Sequence, residues 1–215
     1  MIEASIDAAL AAAATGSNRA AADPRPTNAF RYDRVTAWLH WAIGTLLLAE
    51  IAFGLLLDAI APRATPARAG VINMHKSFGI VLGVLIVLRL AWRLAHVSPP
   101  WPPAMSARRQ RAANLGHVAL YACMVVAPLA GYLGSNFSKH GVRLFGATLA
   151  PWGPDWPAAY SFLVALHDAS SYLLLALVAG HVAMALKHAL VERDGSFSRI
   201  LPWSSSQRRG DASSP

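Results

Sequence analysis

The sequence predicts an all-α integral membrane protein built as one four-helix bundle, and three observations carry that expectation. Of the 215 residues, 55% are hydrophobic and only 14% are charged, against about 25% charged in a typical soluble domain. The mean hydropathy is +0.38. Four apolar runs each reach roughly the 20 residues that a helix needs to cross a hydrocarbon core about 30 Å thick. In hydrocarbon every backbone N–H and C=O has to be satisfied within its own span, so each run is read as a helix.

Taken in order, the spans are expected at 36–57, 75–94, 115–133 and 161–190. Pro128 is expected to kink the third near its far end, because proline removes a backbone donor and crowds the preceding turn. Trp38, Trp41, Trp92, Trp101, Trp152, Trp156 and Trp203 fall near the ends of runs, as an interfacial aromatic belt requires. Residues 1–30 are Ala-rich and lack the basic start and cleavage pattern of a signal peptide. They are read as a loosely held tail without chemistry, 31–203 as the bundle, and 204–215 as a second tail.

Four spans leave both termini on one side. Fourteen of the 19 basic residues fall on that side, and the positive-inside rule makes it the cytoplasm. Arg63, Arg68, Lys76, Lys139 and Arg143 are left outside, where the 135–160 connection is the largest element. The net charge of +8 sits at the ends of apolar runs and not on one polar face, so nucleic acid is not an expected partner. The one cysteine, Cys123, lies inside a span. It excludes an intrachain disulfide and any Cys-based metal site.

Histidines supply the chemistry. His167 and His181 are fourteen residues apart on the fourth span, about 21 Å along the helix and within about 40° of one face. His40 lies near the cytoplasmic start of the first span, and His75 opens the second on the outer side. Topology therefore pairs His75 with His167 outside and His40 with His181 inside. Two levels, each with imidazoles from two helices, are how two b-type haems would be held. Zinc fits less well, because the sequence suggests no third Cys, Asp or Glu ligand at either level.

Other residues fit large flat cofactors. Gly54 follows His40 by fourteen residues, and Arg89 follows His75 by fourteen. Gly54 is expected to let a porphyrin approach the first helix, and Arg89 to meet a haem propionate. His117, opening the third span, and His188, two turns beyond His181, are candidates for a quinone site near the inner haem. Lys76, Lys139 and Arg143 are candidates for a positive outer entrance. Glu50, a carboxyl within the first span, is read either as protonated and packed or as hydrogen-bonded to a ligand histidine or a propionate. His96 and His140 are expected to be ordinary surface residues.

An ordered set of stretches resembles the bacterial cytochrome b561 family of diheme membrane cytochromes. It comprises Tyr32-Asp33-Arg34, Leu39-His40-Trp41, Asn73-Met74-His75-Lys76-Ser77-Phe78-Gly79 and Arg89-Leu90-Ala91-Trp92-Arg93-Leu94. It continues with Gly116-His117-Val118, Pro128-Leu129-Ala130-Gly131-Tyr132, Leu166-His167-Asp168, Gly180-His181, Leu186-Lys187-His188 and Arg193-Asp194-Gly195. The resemblance implies a four-helix bundle enclosing two bis-histidine b haems, with His40, His75, His167 and His181 as iron ligands. It implies oxidation of superoxide on the periplasmic side and reduction of ubiquinone. Some relatives instead serve as the cytochrome b subunit of a periplasmic redox partner such as a hydrogenase. A reading from another class is a haem-free proton-coupled transporter using Glu50 and the histidines as a relay. The sequence leaves open whether the chain forms a homodimer.

Overall fold

The computed structural model describes residues 31–101 and 105–202. The expectations for the two tails and for Trp203 concern residues outside that range.

Four helices make the fold, three of them longer than the predicted spans and the fourth of equal length but starting four residues earlier: α1 (Arg34–Ile60), α2 (Arg68–Ala95), α3 (Ala107–Asn136) and α4 (Pro157–Leu186). All four are long and apolar enough to cross a membrane. α1, α2 and α3 begin before their apolar runs because turns carrying polar or basic residues continue the helix into the interface. The difference matters for two residues: His75 and His117 lie two turns or more inside α2 and α3, not at their starts.

Local chemistry sets the ends. Asp33 caps α1, its carboxylate accepting the Thr36 N–H at 2.9 Å and the Thr36 hydroxyl at 2.5 Å. Pro157 occupies the first turn of α4, where its missing N–H leaves no helix bond unmade. At its far end α4 widens into a π-helical turn, Lys187–Glu192, followed by a 3₁₀ turn, Phe197–Ile200.

Closest packing joins α3 to α4, α1 to α2, and α2 to α3. Among the described residues, neither α1 nor α2 packs closely along α4. An apolar cluster of Ile43, Leu47, Leu82, Ile86, Cys123, Met124 and Leu174 fills the middle of the bundle. On every helix these residues fall between the two histidine levels, so the core is an apolar plug separating them.

The α3–α4 connection carries a two-stranded antiparallel hairpin, β1 (Val142–Leu144) and β2 (Ala147–Leu149). Phe145 and Gly146 both have positive φ, 46° and 100°, the pattern of a type I′ turn. The hairpin is bound to α2. The fully buried Ser77 hydroxyl accepts the Phe145 N–H at 3.0 Å and faces the carbonyls of Asn73 and Arg143 at 2.7 and 3.0 Å. Asn73 Oδ1 accepts the Arg143 N–H at 3.1 Å, and Lys76 Nζ donates to Gly141 O at 3.1 Å.

The other end of the bundle is tied by Arg199. Counted in the sequence as one more cytoplasmic charge, it is buried and donates to the carbonyls of Pro99 and Pro100 at 3.2 and 2.9 Å. Its guanidinium also lies 5.6 Å from the Tyr32 ring and 5.4 Å from the Trp101 ring.

Candidate functional site

The histidines form two groups, one near the hairpin and one near Arg89. At the hairpin level, His75 of α2 and His167 of α4 have ring centroids 6.1 Å apart with planes 79° apart. At the Arg89 level, His40 of α1 and His181 of α4 are 6.2 Å apart at 70°. Both pairs bridge helices that do not pack closely together. A metal held between two imidazoles needs about 2.0 Å to each nitrogen, with about 1.1 Å more to each ring centre, or about 6.2 Å between centroids. Both spacings fit one iron between each pair.

Each ring at the hairpin level is oriented from behind. His167 Nδ1 lies 2.8 Å from Ala127 O, so it carries the hydrogen and leaves Nε2 as the free nitrogen. His75 Nδ1 lies 2.7 Å from Glu50 Oε1. The approach is oblique, so neither atom meets hydrogen-bond geometry, and neither has another partner. Both atoms are buried.

Glycines seat both rings. A Cβ on Gly54 would stand 3.3 Å from His75 Cε1, and one on Gly131 would stand 3.0 Å from His167 Nδ1. Gly54 is therefore pressed against an imidazole, which qualifies the expectation that its bare backbone meets a porphyrin. Gly131 had no individual role in the sequence reading. The signal was present: it follows His117 by fourteen residues, as Gly54 follows His40.

Glu50 stands beside the hairpin-level histidines, 2.7 Å from His75 Nδ1. Its carboxylate is at the hairpin level, but on the Nδ1 side of His75. It is placed as a hydrogen-bond acceptor and not as a third metal ligand between the rings.

The Arg89 level holds a third imidazole. His117 of α3 has its ring centroid 5.6 Å from that of His181. Arg89 Nη2 stands 3.4 Å from His40 Nδ1, at the far limit of a hydrogen bond, and Nη1 donates to Thr36 O at 3.2 Å. The Tyr121 hydroxyl is buried without a partner, and buried His117 Nδ1 faces the backbone of Ala113 on its own helix. The guanidiniums of Arg89 and Arg93 lie 6.0 and 5.7 Å from the Tyr121 ring. A three-histidine zinc site is not formed here. Among the described residues, the one set of three ligating side chains whose atoms converge within 4.8 Å is His188, Glu192 and Asp194.

His188 is engaged in that set, with Nδ1 2.8 Å from Glu192 Oε2 and 2.8 Å from Asp194 Oδ2. Glu192 also meets Lys187 at 3.2 Å and Arg109 at 3.6 Å. Burial opposes ionisation of Asp194, but the Ser196 N–H and His188 hold its carboxyl below the usual range. Of the outer basic residues, Lys139 pairs with Asp155 at 3.4 Å. The candidate positive entrance thus narrows to Lys76 and Arg143, on α2 and β1.

Comparison with known proteins agrees with this geometry. The family model described as prokaryotic cytochrome b561 matches residues 31–203. Cytochrome b561 homolog 2 of Escherichia coli (strain K12) is 32% identical over 181 residues, covering 82% of this chain and 94% of that protein. Cytochrome b561 homolog 1 of the same organism is 24% identical, covering 80% and 97%. A protein named probable superoxide oxidase CybB, from Yersinia pestis, is 29% identical, covering 80% and 96%. With its family match spanning the whole helical bundle, the chain belongs to the prokaryotic cytochrome b561 family, haem-binding membrane proteins of transmembrane electron transfer.

Proposed function

We propose that this chain conducts electrons across the bacterial inner membrane through two b haems, one gripped by His75 and His167 and the other by His40 and His181. The observation that carries the reading is the matched pair of centroid spacings, 6.1 and 6.2 Å, on opposite sides of an apolar plug. Haem bound at these positions would supply reversible one-electron chemistry at six-coordinate iron.

The chain's own residues do the rest. His167 and His75 are held with Nδ1 turned to an acceptor, so Nε2 faces the gap. His40 ligating through Nε2 would carry its hydrogen on Nδ1, which a guanidinium cannot donate to. Arg89 would then keep Thr36 O and turn its other nitrogens to an anion, for which a propionate of the haem is suited.

Superoxide on the hairpin side is the proposed donor and ubiquinone on the Arg89 side the acceptor, with both termini cytoplasmic. The relative named as a superoxide oxidase supports the donor. The unpartnered Tyr121 hydroxyl, with His117 beside His181, supports a polar head group, such as a quinone's, docking there.

The test is haem stoichiometry and spectrum of the purified protein. Two low-spin b haems per chain are expected, falling to one in His167→Ala and to one in His40→Ala. A colourless protein would favour the transporter reading. Two haems that a superoxide pulse fails to reduce would favour a subunit docked to a periplasmic redox partner.

A further inference from the structure

Glu50 is an ionisable group in the apolar half of α1, with a fractional exposure of 8%. A carboxylate at such depth is costly unless something specific faces it. What faces it is His75 Nδ1 at 2.7 Å. Gly54 stands one turn further along α1, on the same side of the helix, and is pressed against Cε1 of the same ring. The two residues form a cradle, one locating the nitrogen and the other the edge of the imidazole. No comparable group serves His167, whose Nδ1 meets only the neutral carbonyl of Ala127.

The two rings at the hairpin level are thus supported unequally, and the two levels differ as well. The Arg89 level has a guanidinium 3.4 Å from His40 Nδ1, where the hairpin level has a carboxylate. With Glu50 ionised, the Glu50–His75 pair bears one negative charge wherever the proton between them sits. Buried in a medium of low dielectric, that charge acts strongly on a neighbouring iron. Negative charge favours the ferric over the ferrous state, and an imidazole hydrogen-bonded to a carboxylate is a stronger electron donor to its metal.

Resting on the two-haem reading above, we propose that Glu50 is a positioning residue that holds His75 with Nε2 toward the iron and lowers the potential of the hairpin-level haem relative to the Arg89-level haem. The effect makes electron transfer from the hairpin level to the Arg89 level the downhill direction. Glu50 touches neither substrate nor the reacting atoms. It acts through His75.

The experiment is a redox titration, followed by visible spectra, of the purified wild-type protein and its Glu50→Gln variant. The haem lost in His167→Ala identifies the hairpin-level signal. Glutamine keeps an acceptor oxygen but removes the charge. The expected result is a hairpin-level haem whose oxidised-to-reduced ratio at fixed potential falls at least tenfold, about 59 mV for one electron, while the other haem is unchanged. An unmoved ratio, or an equal shift at both haems, would overturn the inference. If Glu50→Gln fails to retain the haem, Glu50→Asp decides. Retention with a ratio within about twofold of wild type supports the inference, and retention with a ratio shifted further, or loss in both variants, overturns the potential-setting role. A wild-type protein without two low-spin haems would instead sink the functional reading itself, whatever the variants do.

Discussion

Gly131 of α3 lies so close to His167 of α4 that a methyl group on it would stand 3.0 Å from the ring's Nδ1. The same ring is bonded to Ala127 O one turn earlier on α3. The imidazole is therefore clamped between a carbonyl and a bare backbone, and its freedom to retreat is small. Gly131→Ala should displace it, destabilising the protein by about 1–3 kcal/mol, as overpacking of a tight core does. Haem bound per chain should fall toward one. Gly116 of the same helix has nothing within 4 Å, so Gly116→Ala should leave occupancy unchanged and slightly raise the melting temperature through helix propensity. Pyridine haemochrome assays and thermal melts of both variants check the contrast.

Which imidazoles pair at the Arg89 level can be read from a second contrast. His181 has two histidine neighbours, His40 at 6.2 Å and His117 at 5.6 Å. If His40 is the partner across the iron, His40→Ala loses a haem and His117→Ala keeps both. The second variant should instead slow quinone reduction, since it removes a buried imidazole from the proposed head-group site beside His181. Loss of a haem in His117→Ala and its retention in His40→Ala would reverse the assignment.

The Ser77 hydroxyl is a principal tie of the hairpin to α2. Ser77→Ala leaves the buried Phe145 N–H without its acceptor, which should cost about 1–3 kcal/mol. Faster proteolysis within 141–150 than in wild type, with haem content unchanged, is the expected signature.

At the hairpin face, Arg143→Gln should slow reduction by a superoxide pulse about threefold, with a weaker dependence on salt, because a steering charge is lost. Lys139→Gln should have little effect, since Asp155 already neutralises that lysine. Stopped-flow rates over a range of ionic strength separate the two.

Asp33 supplies a pH-dependent term. Slight desolvation raises its pKa, but the Thr36 hydroxyl and N–H outweigh that and hold it below the ordinary 3.8. A carboxyl whose folded pKa is depressed contributes stability that is present above its unfolded pKa and lost as pH falls through the folded one. Asp33→Ala should therefore cost about 1 kcal/mol near neutral pH. The difference from wild type should vanish below the carboxylate range, as denaturation at several pH values would reveal.

Much of the architecture was legible before any coordinates. The apolar runs named four helices because a bilayer forces its backbone to be satisfied locally. The fourteen-residue spacing of His167 and His181 set two levels because helix rise is constant. The hairpin was not legible: Phe145-Gly146 lacks the Asn-Gly or Asp-Gly pair that marks a type I′ turn, and Ser77, which holds it, is distant in sequence. Helix starts were misjudged at His75 and His117 because interfacial turns are polar, so hydropathy stops before the helix does.

The sequence by itself determined the membrane helices, the levels at which histidines stand and the family to which the chain belongs, all consequences of period and composition along one chain. Tertiary structure alone decided that Glu50 meets His75, that Gly54 and Gly131 seat the two rings, and that His117 joins His181. Those relationships are contacts between helices. They depend on how each helix is turned about its own axis, and that rotation is set by packing against neighbours, which no single span encodes.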